Sequence, residues 1–273
     1  MDFFKIPPQD LGKGAKVPLR KMGEPGEVFY ELALEMIRTI EESTRDKRPA
    51  VLILPVGPVG QYPIFVRLVM ERRISLRHCW FINMDEYLDE GDAWLPMEHP
   101  LSFRGIMESA VYGAIDPELL MPKEQRLFPD PQDTGNVLKQ IRRLGGVDLC
   151  IGGLGINGHL AFNEPQPDLT AEAFAALPTR VLDISAETRA VNAAAGYGGA
   201  LAAMPARCVT LGMAEILGAR RIRVACFREW HRGAVRQAAY GDVSSAFPAT
   251  LLQQHPDAEI LLTSEVSRLP WHC

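Results

Sequence analysis

The sequence lacks a long hydrophobic run and an excess of positive charge. No apolar stretch approaches the roughly 18 residues that a membrane-spanning helix needs, and the N-terminus shows no secretory signal pattern. The formal net charge is −5, so there is no basic footprint for nucleic acid. A basic amphipathic segment that could lie on a membrane surface is also absent. We therefore expect a cytoplasmic protein that binds neither nucleic acid nor a membrane.

Cysteine is scarce and scattered. The five cysteines show no C-x-x-C spacing and are Cys79, Cys150, Cys208, Cys226 and Cys273. An odd number without paired spacing indicates neither a disulfide framework nor a zinc site. Three of them lie within apolar runs and are expected to be buried small hydrophobic residues. The sequence predicts no metal centre and no bound redox cofactor.

Apolar segments of two kinds alternate along the 273 residues. Short apolar runs are typical of buried parallel strands, and longer segments with apolar residues at helical spacing are typical of helices. The predicted strands are 50–55, 79–83, 147–150, 222–227 and 259–263, and the predicted helices are 26–42, 63–72, 102–111, 136–144 and 233–240. This alternation predicts an α/β fold with a mostly parallel, Rossmann-like sheet that carries helices on both faces.

The length and the hydrophobic content of 47% suit one large α/β domain. Residues 1–25 contain proline, glycine and lysine, and we expect them to form an extended N-terminal lead-in. Residues 26–273 are then the single domain. Within it, the segment around 165–190 begins with a run rich in proline, aspartate and alanine, and is predicted to be a mobile lid.

The most informative stretch is Ile151–Pro165, which reads I-G-G-L-G-I-N-G-H-L-A-F-N-E-P after the predicted strand 147–150. Its first glycines allow a sharp turn and a close approach of a ligand to the backbone. His159 and Glu164 follow at the carboxyl end of that strand, where open α/β sheets bind ligands. A purely structural glycine turn is the alternative. A dinucleotide loop is disfavoured because no acidic residue follows about 20 residues on at the end of a next strand.

Two adjacent carboxylates, Asp85 and Glu86, follow the predicted strand 79–83. An acidic pair is usually solvated surface, but at the carboxyl end of a buried strand it lies where ligands bind. Asp85 is therefore a candidate catalytic residue. Glu86 either contacts a ligand or caps the element that follows, and the sequence favours the two interpretations equally.

Two stretches resemble the signature segments of the glucosamine-6-phosphate deaminase (isomerase) family. These are N-M-D-E-Y at 83–87 and G-L-G-I-N-G-H-L-A-F-N-E-P at 153–165, and the segment 243–256 is similar to the family's C-terminal part. The 6-phosphogluconolactonases share the glycine-rich core of the second stretch, but its F-N-E-P ending is that of the aminosugar isomerases. Asn157 stands where the glucosamine enzymes carry Asp, and in this it is closer to the galactosamine-6-phosphate isomerase branch.

The resemblance implies an aldose-to-ketose isomerisation of an aminosugar, coupled to loss of ammonia. His159 would open the pyranose ring, and Asp85 would move the proton from C2 to C1. Glu164 would orient His159 or share its proton. Asn157 can hydrogen-bond His159 but brings no charge, so we expect a lower His159 pKa than in relatives with Asp. A homo-oligomer is also implied.

The substrate-binding positions implied by the resemblance are Gly57, Val59, Gly60, Glu86, Gly155, Arg180 and His231. The phosphate-binding loop of the family is of the T-G-G-T-P type, whereas V-G-P-V-G stands at 56–60 here. Both hydroxyls are replaced by valine, and Pro58 lacks an amide hydrogen. At three further positions the family carries a basic residue and this sequence does not keep it. Leu182 and Ala194 stand at two of them, and His231, which Arg228 and Arg232 flank, stands where the family has a lysine.

Two interpretations of this loop stay open. Either a rearranged set that includes Arg180, His231 and Arg232 holds a sugar phosphate, or the substrate carries a different group at C6 and Gln61 and Tyr62 fill the phosphate space. Two other functions are alternatives to the deaminase: a lactonase of the 6-phosphogluconolactonase type, and a sugar sensor that kept the fold without turnover. The joint presence of Asp85, His159 and Glu164 favours chemistry over binding alone.

Overall fold

A seven-stranded sheet forms the centre of the protein, in a computed structural model that describes residues 2–271. Its strands are β1 (Leu19–Met22), β2 (Ala50–Leu54), β3 (Cys79–Asn83), β5 (Arg126–Leu127), β6 (Leu149–Gly153), β9 (Ile222–Cys226) and β10 (Ala258–Thr263). Their order is β1-β10-β9-β6-β2-β3-β5, and all neighbours are parallel. The mostly parallel sheet predicted from the sequence is confirmed.

Helices cover both faces of this sheet. They are α1 (Pro25–Arg45), α2 (Gln61–Arg72), α3 (Phe103–Ala110), α4 (Asn136–Leu144), α5 (Ala171–Ala175), α6 (Ala186–Gly196), α7 (Met213–Leu217), α8 (His231–Tyr240) and α9 (Ser264–Ser267). Alternate residues of β2 pack on opposite sides: Val51 and Ile53 contact the core under α4, α7 and α8, and Leu52 and Leu54 contact the core under α1 and α2. A strand buried on both faces is apolar at every position, which explains its continuous hydrophobic run.

The order in which successive strands are added to the sheet reverses between β2 and β6. From β2 the chain continues to β3 on one side, and from β6 it continues to β9 and β10 on the other. Such a switch point leaves a crevice beyond the carboxyl ends of the two strands, because their connections leave in opposite directions. The crevice is narrow at Gly153, where a Cβ atom would lie 2.9 Å from the carbonyl oxygen of Gly57. Glycine is therefore required there.

A second, antiparallel sheet was not predicted from the sequence. It consists of β4 (Asp85–Leu88), β8 (Arg207–Thr210) and β7 (Arg180–Asp183), in the order β4-β8-β7. Only Met84 separates β3 from β4. In the sequence the two strands therefore look like one strand followed by a polar loop. The small sheet places Asp85 and Arg180 opposite Thr210 from its two sides.

Two segments differ from their predicted form. Residues 19–22 of the expected lead-in are a strand of the main sheet and pair with Ile260–Thr263. The segment expected to be a lid includes α5, whose Phe174 is fully buried in the core, and β7, which pairs with β8. Sequence reasoning missed both because edge strands and short helices are brief and carry little periodicity. The same segment also includes the first residues of α6, among them Thr188, which lines the cavity.

Four of the five cysteines are buried as free thiols: Cys79, Cys150, Cys208 and Cys226. Cys273 lies outside the described residues. No helix within residues 2–271 is long and apolar enough to cross a lipid bilayer.

Glu86 fixes the start of α3. Its carboxylate, which has no solvent exposure, accepts hydrogen bonds from the amides of Phe103 and Arg104 at 2.9 and 2.8 Å and from the Ser102 hydroxyl at 3.1 Å. The first amides of a helix have no partner within the helix, and a carboxylate satisfies them well. Glu86 therefore caps α3, which corrects its assignment to substrate binding.

We expect Glu86→Gln to lower the free energy of unfolding by about 2 kcal/mol, because the amide nitrogen would face backbone N–H groups in a buried position. Urea unfolding measures this change, and the exposed Glu90→Gln is the matched control. A variant with unchanged stability and lost activity would show instead that the carboxylate serves a ligand.

Candidate active site

A cavity of about 530 Å³ opens at the carboxyl ends of β2, β3, β6 and β9. Seven of the predicted site residues line it: Gly57, Val59, Gly60, Asp85, Gly155, His159 and His231. Asn157 and Glu164 lie behind His159, as described below. These residues come together because the switch point between β2 and β6 gathers the loops that carry them.

His159 is held by a chain of hydrogen bonds that ends at a carboxylate. Its Nδ1 lies 2.7 Å from the Asn157 Oδ1, and the Asn157 Nδ2 donates to Glu164 Oε2 at 2.6 Å. Because the Asn157 amide nitrogen must face the carboxylate, its oxygen accepts from Nδ1–H. Neutral His159 then carries its proton on Nδ1 and presents the unprotonated Nε2 as a base.

The position of the imidazole ring depends on Gly155. A Cβ atom at this residue would overlap the His159 ring, so only glycine lets the ring lie on the backbone of the turn. Gly158 has a φ of +86°, and the Phe247 ring packs on its Cα. These two glycines shape the turn between β6 and His159, and their role is steric.

Burial and a neighbouring charge act on His159 in opposite directions. Burial lowers the pKa of His159 below its ordinary value of 6.5, and the carboxylate of Glu164, 3.8 Å from Nδ1, raises that pKa again. The net shift is downward. Asn157 separates the two groups without adding charge, so the imidazole stays neutral near pH 7.

Asp85 is a buried carboxyl group that faces the cavity. The residue is 6% exposed and is the first residue of β4. Burial raises the pKa of the Asp85 carboxyl to about 8, and the Glu86 carboxylate adds to the rise. Within residues 2–271 no protein group forms a hydrogen bond with this carboxyl that shifts its pKa. The carboxylate is therefore a stronger base than an exposed aspartate, and it is available to a ligand.

Arg180 and His231 do not offer the positive charge that the sequence suggested. Arg180 donates to the Asn163 Oδ1 at 2.8 Å and to the Pro178 carbonyl, and it does not line the cavity. The Nδ1 of His231 accepts from the amides of Phe227 and Arg228, and Nε2 lies 3.0 Å from the Leu154 carbonyl. Burial lowers the pKa of His231 to about 3, so the ring is neutral.

Three residues that sequence reasoning missed come from α6 and the loop after it. Thr188 Oγ1 lies 3.2 Å from the His159 Nδ1, Asn192 donates to the Tyr87 hydroxyl, and Tyr197 lines the same wall. Ser185 accepts from the Thr188 amide and caps the helix, which is a helix-start signal present in the sequence. Threonine and asparagine on an alanine-rich helix carry no chemical signature, so their role depends on the tertiary structure.

No group of His, Cys, Asp and Glu side chains that could hold a metal ion occurs within the described residues.

Comparison with known proteins gives an independent result. The chain is 31% identical over 247 residues to a glucosamine-6-phosphate deaminase of Bacillus velezensis, covering 88% of this chain and 95% of that protein. It is 33% identical over 238 residues to the Rhodopirellula baltica protein of the same name, covering 84% and 88%. The chain belongs to the glucosamine-6-phosphate deaminase family. No protein-family model matches it.

Solved structures agree with this membership. A monomeric glucosamine-6-phosphate deaminase superposes with a TM-score of 0.79 at 26% identity, covering 92% of this chain and 98% of that one. A 6-phosphogluconolactonase from Trypanosoma brucei superposes with a TM-score of 0.64 at 19% identity, over 92% of this chain and 97% of that one, which shows a shared fold. The resemblance to the glucosamine-6-phosphate deaminase family found in the sequence is therefore confirmed.

The hydrogen-bond chain at His159 gives a direct prediction. Asn157→Asp places a negative charge beside the imidazole, so the pKa of His159 should rise. An NMR titration of the imidazole signals measures it, with Asn136→Asp at the exposed start of α4 as the matched control. An unchanged His159 pKa would contradict the hydrogen-bonding scheme.

Proposed function

We propose that this protein converts a 2-amino-2-deoxyhexose and water into a ketose and ammonia. The observation that carries the proposal is the pairing of two groups in one cavity: the buried, basic carboxyl of Asp85 and the anchored imidazole of His159. Membership of the glucosamine-6-phosphate deaminase family supports the same reaction.

Ring opening is the step assigned to His159. Its Nε2 takes the proton of the anomeric hydroxyl and returns it to the ring oxygen, so that the C1–O5 bond breaks and C1 becomes an aldehyde. The contact of Nδ1 with Asn157 keeps Nε2 available for this transfer. Glu164, at the end of the chain of hydrogen bonds, stabilises the imidazolium that forms in between.

Proton transfer between carbons is the step assigned to Asp85. The ionised carboxylate removes the proton from C2 while O1 takes a proton from water, which gives an enolamine, and the carboxylic acid that results delivers its proton to C1. The C2 amine is now an iminium, which the hydroxide left by that water attacks, so that a ketone and ammonia are released. A pKa near 8 makes Asp85 a much stronger base than an exposed aspartate, as removal of a proton from carbon requires.

The two alternative functions predict different products. A lactonase would release no ammonia, and the likeness to the lactonases is a likeness of fold at 19% identity. A sugar sensor would bind the substrate without turnover.

Asp85→Asn tests the assignment. The variant should lose about 10²- to 10⁴-fold in kcat, because an amide cannot carry the proton. A coupled assay of ammonia release measures the loss, with the exposed Asp168→Asn as the control. Ammonia release that survives in Asp85→Asn would contradict the proposed role, and its absence in the unmodified protein with glucosamine, galactosamine and their 6-phosphates would refute the reaction.

The raised pKa of Asp85 also predicts how activity and stability depend on pH. Since the base must be ionised, kcat/KM should rise with pH through about 8. The folded protein binds a proton on Asp85 that the unfolded chain releases near pH 4, so this group's contribution to stability should fall as pH rises from about 4 to about 8. Thermal unfolding of Asp85→Asn should lack this decline, and parallel pH curves for the two proteins would contradict it.

A further inference from the structure

Polar groups of Asp85, His159 and Thr188 line part of the cavity. The apolar side of the cavity is formed by six further side chains: Phe29, Val56, Pro58, Val59, Phe227 and Trp230. The loop with Val56, Pro58 and Val59 follows β2, which lies between β3, the strand before Asp85, and β6, the strand before His159. A sugar that reacts at Asp85 and His159 therefore lies beside this loop.

Aromatic rings build the wall of this apolar side. Phe29 and Phe227 pack edge to face with their ring centroids 4.9 Å apart, and the ring centroids of Trp230 and His231 lie 3.9 Å apart. The Phe29 ring lies directly on the backbone of Gly60, where a Cβ atom would overlap it. The rings thus occupy the space beside the loop that follows β2.

The cations near this side are bound to protein groups. Arg232 is 4% exposed in its side chain and pairs with Glu265 and Glu229. Arg180 is directed to Asn163, and both ring nitrogens of His231 are used by the backbone. Arg232 and His231 cannot place a positive charge on a ligand without breaking a buried interaction. Arg180 keeps an Nη2 without a partner within the described residues, but it does not line the cavity.

Arg228 is the one Arg or Lys that lines the cavity within the described residues. Its Nη1 donates to the Ala195 carbonyl at 3.2 Å, and its guanidinium lies 5.4 Å from the Phe227 ring. Burial lowers the pKa of Arg228, which marks a low-dielectric surrounding. A single guanidinium can donate to a hydroxyl of the sugar, and one cation does not neutralise a dianion.

A sugar phosphate needs more hydrogen-bond donors and more positive charge than the apolar side provides. A phosphate ester carries a charge of about −1.5 to −2 at pH 7 and three strong acceptor oxygens, which several charge-assisted donors must satisfy. The side chains of Val56 and Val59 have no donor, and Pro58 has no amide hydrogen. Desolvating the dianion against valine and aromatic rings would therefore be compensated by Arg228 as the one charged side-chain donor that lines the cavity within the described residues.

We propose that the substrate is a 2-amino-2-deoxyhexose with an uncharged, unphosphorylated C6 group. The inference rests on the deaminase activity proposed above and names its substrate class. The C6 end lies against Val56, Val59 and the aromatic wall, where the C–H faces of the sugar pack on the rings. Arg228 donates to the C6 hydroxyl or the ring substituents nearest to it.

Ammonia release from glucosamine, galactosamine and their 6-phosphates tests the inference. We expect kcat/KM for a free aminosugar to exceed that for its 6-phosphate by at least about tenfold, the value of one charge-assisted hydrogen bond. A preference for the 6-phosphate would overturn the inference while leaving the proposed deamination intact. Ammonia from none of the four sugars would refute the deamination itself and the inference with it.

A variant pair tests whether the valine loop sets this preference. Val56→Thr combined with Val59→Thr adds two hydroxyl donors to the loop and should raise the ratio of kcat/KM for the 6-phosphate over the free sugar by about tenfold. Val66→Thr, the same change on α2 away from the cavity, is the matched control. A ratio equal to that of the control would place the C6 group elsewhere and overturn the inference. Because each ratio compares two substrates on one protein, it is independent of the folded fraction.

Discussion

The close approach of two backbones, at Gly57 and Gly153, is the constraint on which the active site depends. Gly153 ends β6, and Gly57 lies in the loop after the neighbouring parallel strand β2. Only 2.9 Å would separate a Cβ atom at Gly153 from the Gly57 carbonyl oxygen. A larger residue would push the loops apart and widen the crevice. Side chains also pack directly on the backbone at two other glycines: the His159 ring at Gly155 and the Phe29 ring at Gly60.

Electrostatics in the cavity follow from that tight packing. Asp85 is buried without a cation to stabilise its charge, so its pKa rises to about 8 and folding favours the protonated form. The adjacent Glu86 is also buried, but its carboxylate accepts hydrogen bonds from the amides at the start of α3. Two neighbouring carboxylates therefore serve different ends, because one faces helix amides and the other faces the cavity.

The two histidines beside the cavity, His159 and His231, also differ in role. His159 is anchored through one nitrogen and keeps the other for chemistry, whereas His231 uses both nitrogens to hold the loop after β9 against Leu154. Each lies beside the cavity, and the difference is made by which backbone groups are within reach. With His231 neutral and aromatic rings around it, Arg228 is the one charged donor on that side of the cavity within the described residues, which bears directly on the kind of sugar that fits.

The sequence by itself determined the parallel α/β architecture, since buried strands and amphipathic helices carry strong, local periodicity. It also placed Asp85 and His159 at strand ends and carried the resemblance to the glucosamine-6-phosphate deaminase family, because long motifs keep their residue types. Only the tertiary structure decided what depends on contacts between distant segments: the antiparallel sheet that starts at Asp85, the capping role of Glu86, and Thr188 beside His159. The engagement of Arg180 and His231 by protein groups belongs here too. Their charge and hydrogen bonds are set by partners far away in the chain, which no local pattern encodes.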